Sequence, residues 1–193
     1  MSRSHSNKRP KDCPYVGKGG LKLRFGLDHF GLDVQGMTAI DLGCNVGGFT
    51  DCLLQAGASK IYAVDTSYGL LAWKLRIDER VVVHERTNVL HWSSPELFDF
   101  AAGDMGWTKQ ELALPVIAHI LKPGGQALSL VKPQYESPKE NDIRGVLPVE
   151  MIPGILESVI ANCPSELEVR GTVLSPYIGR GGNTEALLYV IRR

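Results

Sequence analysis

Short apolar runs, several of them β-branched, alternate along the chain with longer segments whose apolar positions recur every three to four residues. The runs Thr38–Leu42, Lys60–Val64, Arg80–His84, Phe98–Ala102 and Gln126–Val131 predict strands. Leu21–Phe30, Phe49–Ala56, Gly69–Ile77, Gln110–Leu121 and Pro148–Asn162 carry helical spacing, with Gly26 as a weak point in the first. Gly57 stops the second helix, and Lys122-Pro123-Gly124-Gly125 closes the fourth. Leu167–Leu174 and Glu185–Ile191 predict two further strands, joined by a Gly-rich loop as an antiparallel pair. Alternation of this kind predicts an α/β fold with a parallel sheet and helices on both faces. Residues 1–14 read as a flexible basic tail, and 15–193 as one domain.

Composition narrows the class. The 193 residues are 44% hydrophobic and 22% charged, enough for a sizeable core. That excludes a disordered chain, a collagen-like chain and a disulfide-stapled mini-protein. The longest apolar stretches, around Leu112–Leu121 and Ala127–Val131, are too short for a membrane span. The start, Met-Ser-Arg-Ser-His-Ser, has no apolar core of a secretory signal. Cys13, Cys44, Cys52 and Cys163 form no CxxC pair and show no zinc spacing. Free thiols in a reducing, cytoplasmic setting are expected, and no metal. Net charge is zero, but residues 1–24 hold seven Lys/Arg against Asp12 alone, net +6, leaving the remainder at net −6. A basic arm on an acidic body is either a solvated tail or a contact for a localised anionic partner.

The sharpest local signal is Asp41-Leu-Gly-Cys-Asn-Val-Gly-Gly-Phe-Thr50, which leaves a strand, turns on glycines and enters a helix. Such a loop lets backbone amides approach a ligand closely. Its spacing, Gly43-x-x-x-Gly47-Gly48, does not match the dinucleotide pattern G-x-G-x-x-G. Asp41, two residues before the first glycine, suits a ligand bearing a positive amino group, such as the methionine part of S-adenosylmethionine. Asp65, at the end of the second strand, suits the two hydroxyls of a ribose. Asn88, after the third strand, is a candidate for facing an adenine. The competing reading is a tight strand–helix turn with no ligand.

Four stretches together identify a family resemblance: Tyr15-Val-Gly-Lys-Gly-Gly-Leu-Lys-Leu23, the Asp41–Asp51 loop, Ala63-Val-Asp-Thr-Ser-Tyr-Gly-Leu-Leu-Ala-Trp-Lys-Leu-Arg76 and Val131-Lys-Pro-Gln-Tyr-Glu136. They resemble the TlyA-type branch of the FtsJ-like RNA methyltransferases, over about residues 15–191. The resemblance implies a Rossmann-like methyltransferase fold, a mostly parallel seven-stranded sheet whose last strand is antiparallel. It implies S-adenosylmethionine as cofactor, held by Asp41, Gly43, Cys44, Gly47, Gly48, Phe49, Asp65, Thr66, Asn88 and Asp104. It implies RNA as partner, ribosomal RNA or a ribosomal subunit, with a 2′-O-methylated nucleotide as product. It also implies a catalytic tetrad, Lys22, Asp104, Lys132 and Glu185. Topology supports the last three: Asp104 and Lys132 end neighbouring strands, and Glu185 begins a strand whose antiparallel course brings its start to the same edge. Lys22 has to fold over that edge from the preceding helix. Lys132 is expected to contact the 2′-oxygen, raised in pKa by two carboxylates and lowered by Lys22 and the sulfonium. Base or charged orienter are both open roles for it.

The sequence departs from the family in places. TlyA-type proteins carry an N-terminal S4 RNA-binding domain, whereas 14 residues precede Tyr15 here, so the basic tail or a separate protein is expected to deliver the RNA. Where that branch reads Asp-Leu-Ser-Phe-Ile-Ser, this chain reads Asp104-Met-Gly-Trp107-Thr. Core packing is the expected role of Trp107, and stacking on a base the alternative. Lys139, Arg144 and Arg180, in loops expected to rise over the site, are candidates for phosphate contacts. The long 133–147 loop is a candidate lid. Two other functions compete: a methyltransferase for a small molecule or protein, and a non-catalytic RNA-binding or haemolysin-like protein. Neither requires the tetrad.

Overall fold

The computed structural model describes residues 12–137, 145–179 and 181–193. Among them, seven strands form a single sheet: β1 (Thr38–Leu42), β2 (Lys60–Val64), β3 (Val81–His84), β4 (Phe98–Gly103), β5 (Leu121–Val131), β6 (Leu167–Leu174) and β7 (Ala186–Arg192). Their order is β3-β2-β1-β4-β5-β7-β6. The first five strands pair in parallel, and β7 runs antiparallel to both of its neighbours. The order reverses between β1 and β4, which opens a crevice at the carboxyl edge beside β1.

Alternate side chains feed two cores, as the period of two along a strand requires. Ala39, Ile61, Phe100, Leu128 and Leu187 face one side, where they meet α1 (Gly19–Phe30), α2 (Gly48–Gln55) and α3 (Trp73–Arg76) through Leu23, Leu27, Leu53 and Leu75. Ile40, Tyr62, Ala101, Ala127 and Leu188 face the other, against α4 (Gln110–Ile120) and α6 (Ile152–Ala161) through Leu114, Ile117, Leu156 and Val159. A short helix, α5 (Pro133–Glu136), follows β5. Gly26 does not break α1; it lets the helix lie close on the sheet, since a Cβ there would stand 2.7 Å from Leu187 Cδ1 and 2.9 Å from Leu128 Cδ1.

Several boundaries differ from the sequence reading. The helix expected over 69–77 shrinks to Trp73–Arg76, because Gly69 is left-handed at φ +74° and Ala72 is extended, its N–H donating to Val46 O at 3.1 Å. Strand β5 begins at Leu121, five residues early: the Lys122–Gly125 stretch is an irregularity within the strand, where the register to β4 shifts. The helix expected from Pro148 opens as a 3₁₀ turn, Val149–Met151. Among the described residues, no helix is long and apolar enough to cross a membrane.

Candidate active site

Strand ends build the site. Gly43, Asp65, Asp104 and Lys132 are each the residue after the last position of β1, β2, β4 and β5. Glu185 immediately precedes β7, and the register pairs Val131 with Ala186, so Lys132 and Glu185 leave the sheet side by side. These residues line one cleft of about 480 Å³, floored by the Gly43–Phe49 loop.

Among the described residues, two ion pairs occupy one end of it. Lys22 of α1 reaches across the sheet edge to Glu185 Oε2, both side chains buried. Lys132 Nζ lies 2.5 Å from Asp104 Oδ1, with more access to solvent. The four residues of the expected tetrad therefore converge as two adjacent pairs. Burial alone would push the Lys132 ammonium down; Asp104 beside it and Glu185 nearby outweigh that, and the net direction is up. Burial pushes Glu185 up, against the opposing pull of Lys22.

The opposite end is shaped by Asp41. Its carboxylate is fully buried within β1, and Oδ2 accepts hydrogen bonds from Thr50 N (2.8 Å) and Thr50 Oγ1 (2.6 Å), fixing the first turn of α2. Oδ1 has no hydrogen-bond partner among the described residues, although Asp41 lines the cleft. Burial pushes this carboxyl up to about 7, the Thr50 bonds opposing and the charges of Asp104 and Asp65 adding. A buried, half-satisfied carboxylate at a cleft wall is suited to a cationic ligand group. Asp65 accepts from Asn45 N at 2.8 Å and from Ser67 N at 2.7 Å, so it braces the loop while each oxygen keeps a lone pair for a hydroxyl. Asn88 Oδ1 caps the 3₁₀ turn Val89–His91 through Leu90 N at 3.0 Å, leaving its amide nitrogen for a ligand. Burial drives the Cys44 thiol far above its usual range, so it is an unreactive wall group.

Of the expected cofactor set, Gly43, Cys44, Gly48, Phe49, Thr66, Asn88 and Asp104 join Asp41 and Asp65 in the cleft wall; Gly47 does not. Gly47 caps α2 at φ +97°, and a Cβ there would stand 2.3 Å from Leu75 Cδ1. Gly47→Ala is expected to destabilise the protein by about 1–3 kcal/mol from overpacking alone, before backbone strain is added. Thermal denaturation checks this, and a melting temperature equal to wild type would contradict it.

Trp107 corrects the expectation of core packing. It is 84% exposed, in a left-handed conformation at φ +64°, because the chain turns outward after β4. Its ring lies 5.1 Å from that of Tyr135, and both line the cleft. Sequence reasoning also missed Lys18, Val46, Thr87, Leu90, Met105 and Tyr135 as wall residues. Lys18, Val46 and Tyr135 sit inside the motif stretches quoted above and Met105 in the stretch after β4; Thr87 and Leu90 carry no sequence signal. Lys139, Arg144 and Arg180 lie outside the described residues, as do most of the basic tail and much of the 133–147 loop. No group of three His, Cys, Asp or Glu residues among the described ones is arranged to hold a metal ion.

A cleft at the switch point of an α/β sheet with this strand order, lined by a strand–glycine-loop–helix turn, defines the methyltransferase class of Rossmann-like folds. The chain belongs to the FtsJ-like methyltransferase family, whose pattern matches residues 15–189. It is similar to YqxC of Bacillus subtilis (strain 168), provisionally designated an rRNA methyltransferase, with 41% identity over 184 residues, 91% of this chain and 65% of that protein. It is 34% identical over 183 residues to the 16S/23S rRNA (cytidine-2′-O)-methyltransferase TlyA of Mycobacterium tuberculosis, covering 91% of this chain and 68% of TlyA. A solved structure from Streptococcus thermophilus, provisionally designated a hemolysin, superposes with a TM-score of 0.89 at 38% identity, covering 96% of this chain and 68% of that one. The chain thus spans about two thirds of the length of these relatives.

Proposed function

We propose that the chain transfers a methyl group from S-adenosylmethionine to a ribose 2′-hydroxyl of ribosomal RNA. The observation that carries this reading is the pair of ion pairs, Lys22–Glu185 and Lys132–Asp104, set in the same cleft as the half-satisfied Asp41 carboxylate. The residues present fit the cofactor: Asp41 Oδ1 for its amino group, Asp65 for its ribose hydroxyls, Asn88 beside its base. S-adenosylmethionine, when bound, supplies a methyl group activated by a sulfonium. The chain's own residues have to align and charge-stabilise the attacking oxygen. Lys132, held as an ammonium by Asp104, donates to one lone pair of the 2′-oxygen and leaves another free for attack; as the new O–C bond forms and the donor's S–C bond breaks, the hydroxyl proton is lost to water at the open side of the cleft. Its role is that of a charged orienter, since a lysine raised in pKa is a poor base at neutral pH. Lys22 and Glu185 hold the flank of this site rigid. Trp107, exposed at the rim, and the half-buried Tyr135 beside it suit an unstacked nucleobase, the form in which RNA is read by sequence-specific proteins. The names carried by the TlyA and YqxC relatives support the ribosomal substrate, which would place the reaction in the cytoplasm.

Cofactor affinity should depend on pH through Asp41. Its pKa of about 7 lies above the unfolded value, so the empty protein holds a proton there below neutrality. A cationic amino group requires the ionised form, so binding below pH 7 expels that proton and weakens by up to about tenfold per pH unit. Affinity is expected to rise with pH to about 7, then level and fall as the cofactor's own amino group, with a pKa of about 8, loses its charge. Calorimetry in buffers of different ionisation enthalpy reads the proton release directly; pH-independent binding between 5 and 7 (~two units, ~a hundredfold at the limit) would contradict it.

The substrate class is tested by incubating the protein and labelled S-adenosylmethionine with naked ribosomal RNA and with ribosomal subunits from a strain lacking the protein. Label in RNA is expected. Cofactor binding without label in either substrate would overturn the ribosomal reading.

A further inference from the structure

Asp51 is a charged side chain that the chemistry above does not use, yet it is only 3% exposed. It lies in the first turn of α2, the helix that follows the glycine loop, and it does not line the cleft. Its carboxylate joins three parts of the chain. Oδ2 accepts from the backbone N–H of Val16 at 2.8 Å. Lys74 of α3 pairs with Oδ2 at 2.8 Å and with Oδ1 at 3.0 Å. Gln55, one turn along α2, donates to Oδ1 at 3.1 Å and also to Pro14 O at 3.2 Å.

Val16 opens the segment that leads to Lys22. Between them the arm lies directly on the glycine loop: a Cβ at Gly17 would stand 3.0 Å from Val46, and one at Gly19 would stand 3.2 Å from Phe49. The arm therefore has two anchors. At its far end Lys22 is paired with Glu185, and at its near end the Val16 and Pro14 backbone is pinned to α2. With the carboxylate removed, the half-buried Val16 N–H would have only water from the space between Asp51 and Lys74 as a partner, which satisfies the donor but does not fix the chain in place.

We propose that Asp51 is a positioning residue that locks the Lys22 arm onto the cofactor loop, so that turnover depends on it while cofactor affinity does not. This rests on the methyltransferase reading above. Asp51 touches neither the proposed substrate nor the cofactor positions. It acts through Val16 N–H on the placement of Lys22, and a displacement of about 1 Å in a catalytic group can cost a hundredfold in rate.

The test compares Asp51→Ala with Asp51→Asn. Both lose the ion pair with Lys74, whose half-exposed ammonium turns to solvent, so both should melt at a similarly lowered temperature. Asn keeps an oxygen for Val16 N–H, and Ala does not. Asp51→Ala is expected to lower kcat by roughly ten- to a hundredfold with S-adenosylmethionine Kd within about threefold of wild type, and Asp51→Asn to restore kcat to within about threefold. Amide exchange of the Val16–Leu23 stretch should quicken in Asp51→Ala and stay slow in Asp51→Asn, a readout that needs no RNA. An unchanged kcat in Asp51→Ala, or equal losses in both variants, would overturn the proposal. If the wild type itself makes no 2′-O-methyl product, the functional reading fails instead, and the exchange experiment still decides whether the lock exists.

Discussion

Lys132→Ala is expected to lower the rate of methyl transfer by about a thousandfold or more, at the upper end of what removing one donor to a developing charge costs. Of the two lysines in the ion pairs, Lys132 is the one partly open to solvent: Lys22 is more deeply buried and is paired with Glu185. Without Lys132, nothing orients the 2′-oxygen or offsets its charge. Cofactor affinity should stay within about threefold, because the cofactor's proposed partners, Asp41 and Asp65, are held by Thr50, Asn45 and Ser67 rather than by Lys132. Stability should fall by about 1–3 kcal/mol, since the Asp104 oxygen that faces Lys132 is buried and loses its partner, although the rest of that side chain reaches solvent. Lys132→Arg keeps the charge but spreads it over a planar fork, and should recover little activity. Single-turnover transfer and cofactor titration separate the two effects. A variant that transfers at wild-type rate would remove Lys132 from the mechanism.

The second large effect concerns the buried pair. Lys22→Met leaves the Glu185 carboxylate in a buried site with its counter-charge gone, a change that typically costs about 3–5 kcal/mol. Glu185 answers by holding a proton more tightly, in the direction burial already pushes it. The native variant then keeps a proton that the unfolded chain has lost, so its stability falls as pH rises from the unfolded glutamate pKa, about 4.3, up to the raised folded value. Lys22→Met should therefore be closest to wild type in acid and furthest from it at neutral pH. The double variant Lys22→Met/Glu185→Leu replaces the pair by apolar groups and should regain most of the lost stability, while remaining inactive. Denaturation across pH checks the sign, and a single variant as stable as wild type at neutral pH would contradict it. Stability and activity part company here because the pair is retained for placement of charge, and apolar packing supplies the same cohesion.

Much of this was readable from the chain because the period of the strands is strict. The bounds of β1, β2 and β6 match the sequence reading, and Glu185 meets Lys132 because an antiparallel neighbour must start where its partner ends. The misread segments have tertiary causes. The stretch before Trp73 has helical apolar spacing, but its backbone is drawn to Val46 and to a left-handed glycine. Lys122–Gly125 has the composition of a stop signal, yet its residues are absorbed as an irregularity in a strand paired on both sides. Core packing is the expected role of Trp107 over base stacking; a positive φ turns it outward, and nothing in its neighbours' identities announces that. Lys22 was the hardest to place. Its route over the sheet edge depends on Gly26 seating α1 close to Leu128 and Leu187, and on Asp51 holding Val16, contacts that span more than a hundred residues in one case and 35 in the other. The dual use of Asp41, one oxygen for Thr50 and one for the cleft, was also hidden, since the loop motif gives the residue but not the division of its lone pairs.

The central claim is that this cleft methylates a ribose oxygen and does so through Lys132. The most direct measurement is nucleoside analysis of RNA treated with the protein and labelled S-adenosylmethionine, with Lys132→Ala alongside. The account requires the label to appear in a 2′-O-methylnucleoside and to vanish with the variant. Label on a base, or label on the ribose that survives in Lys132→Ala, would contradict it.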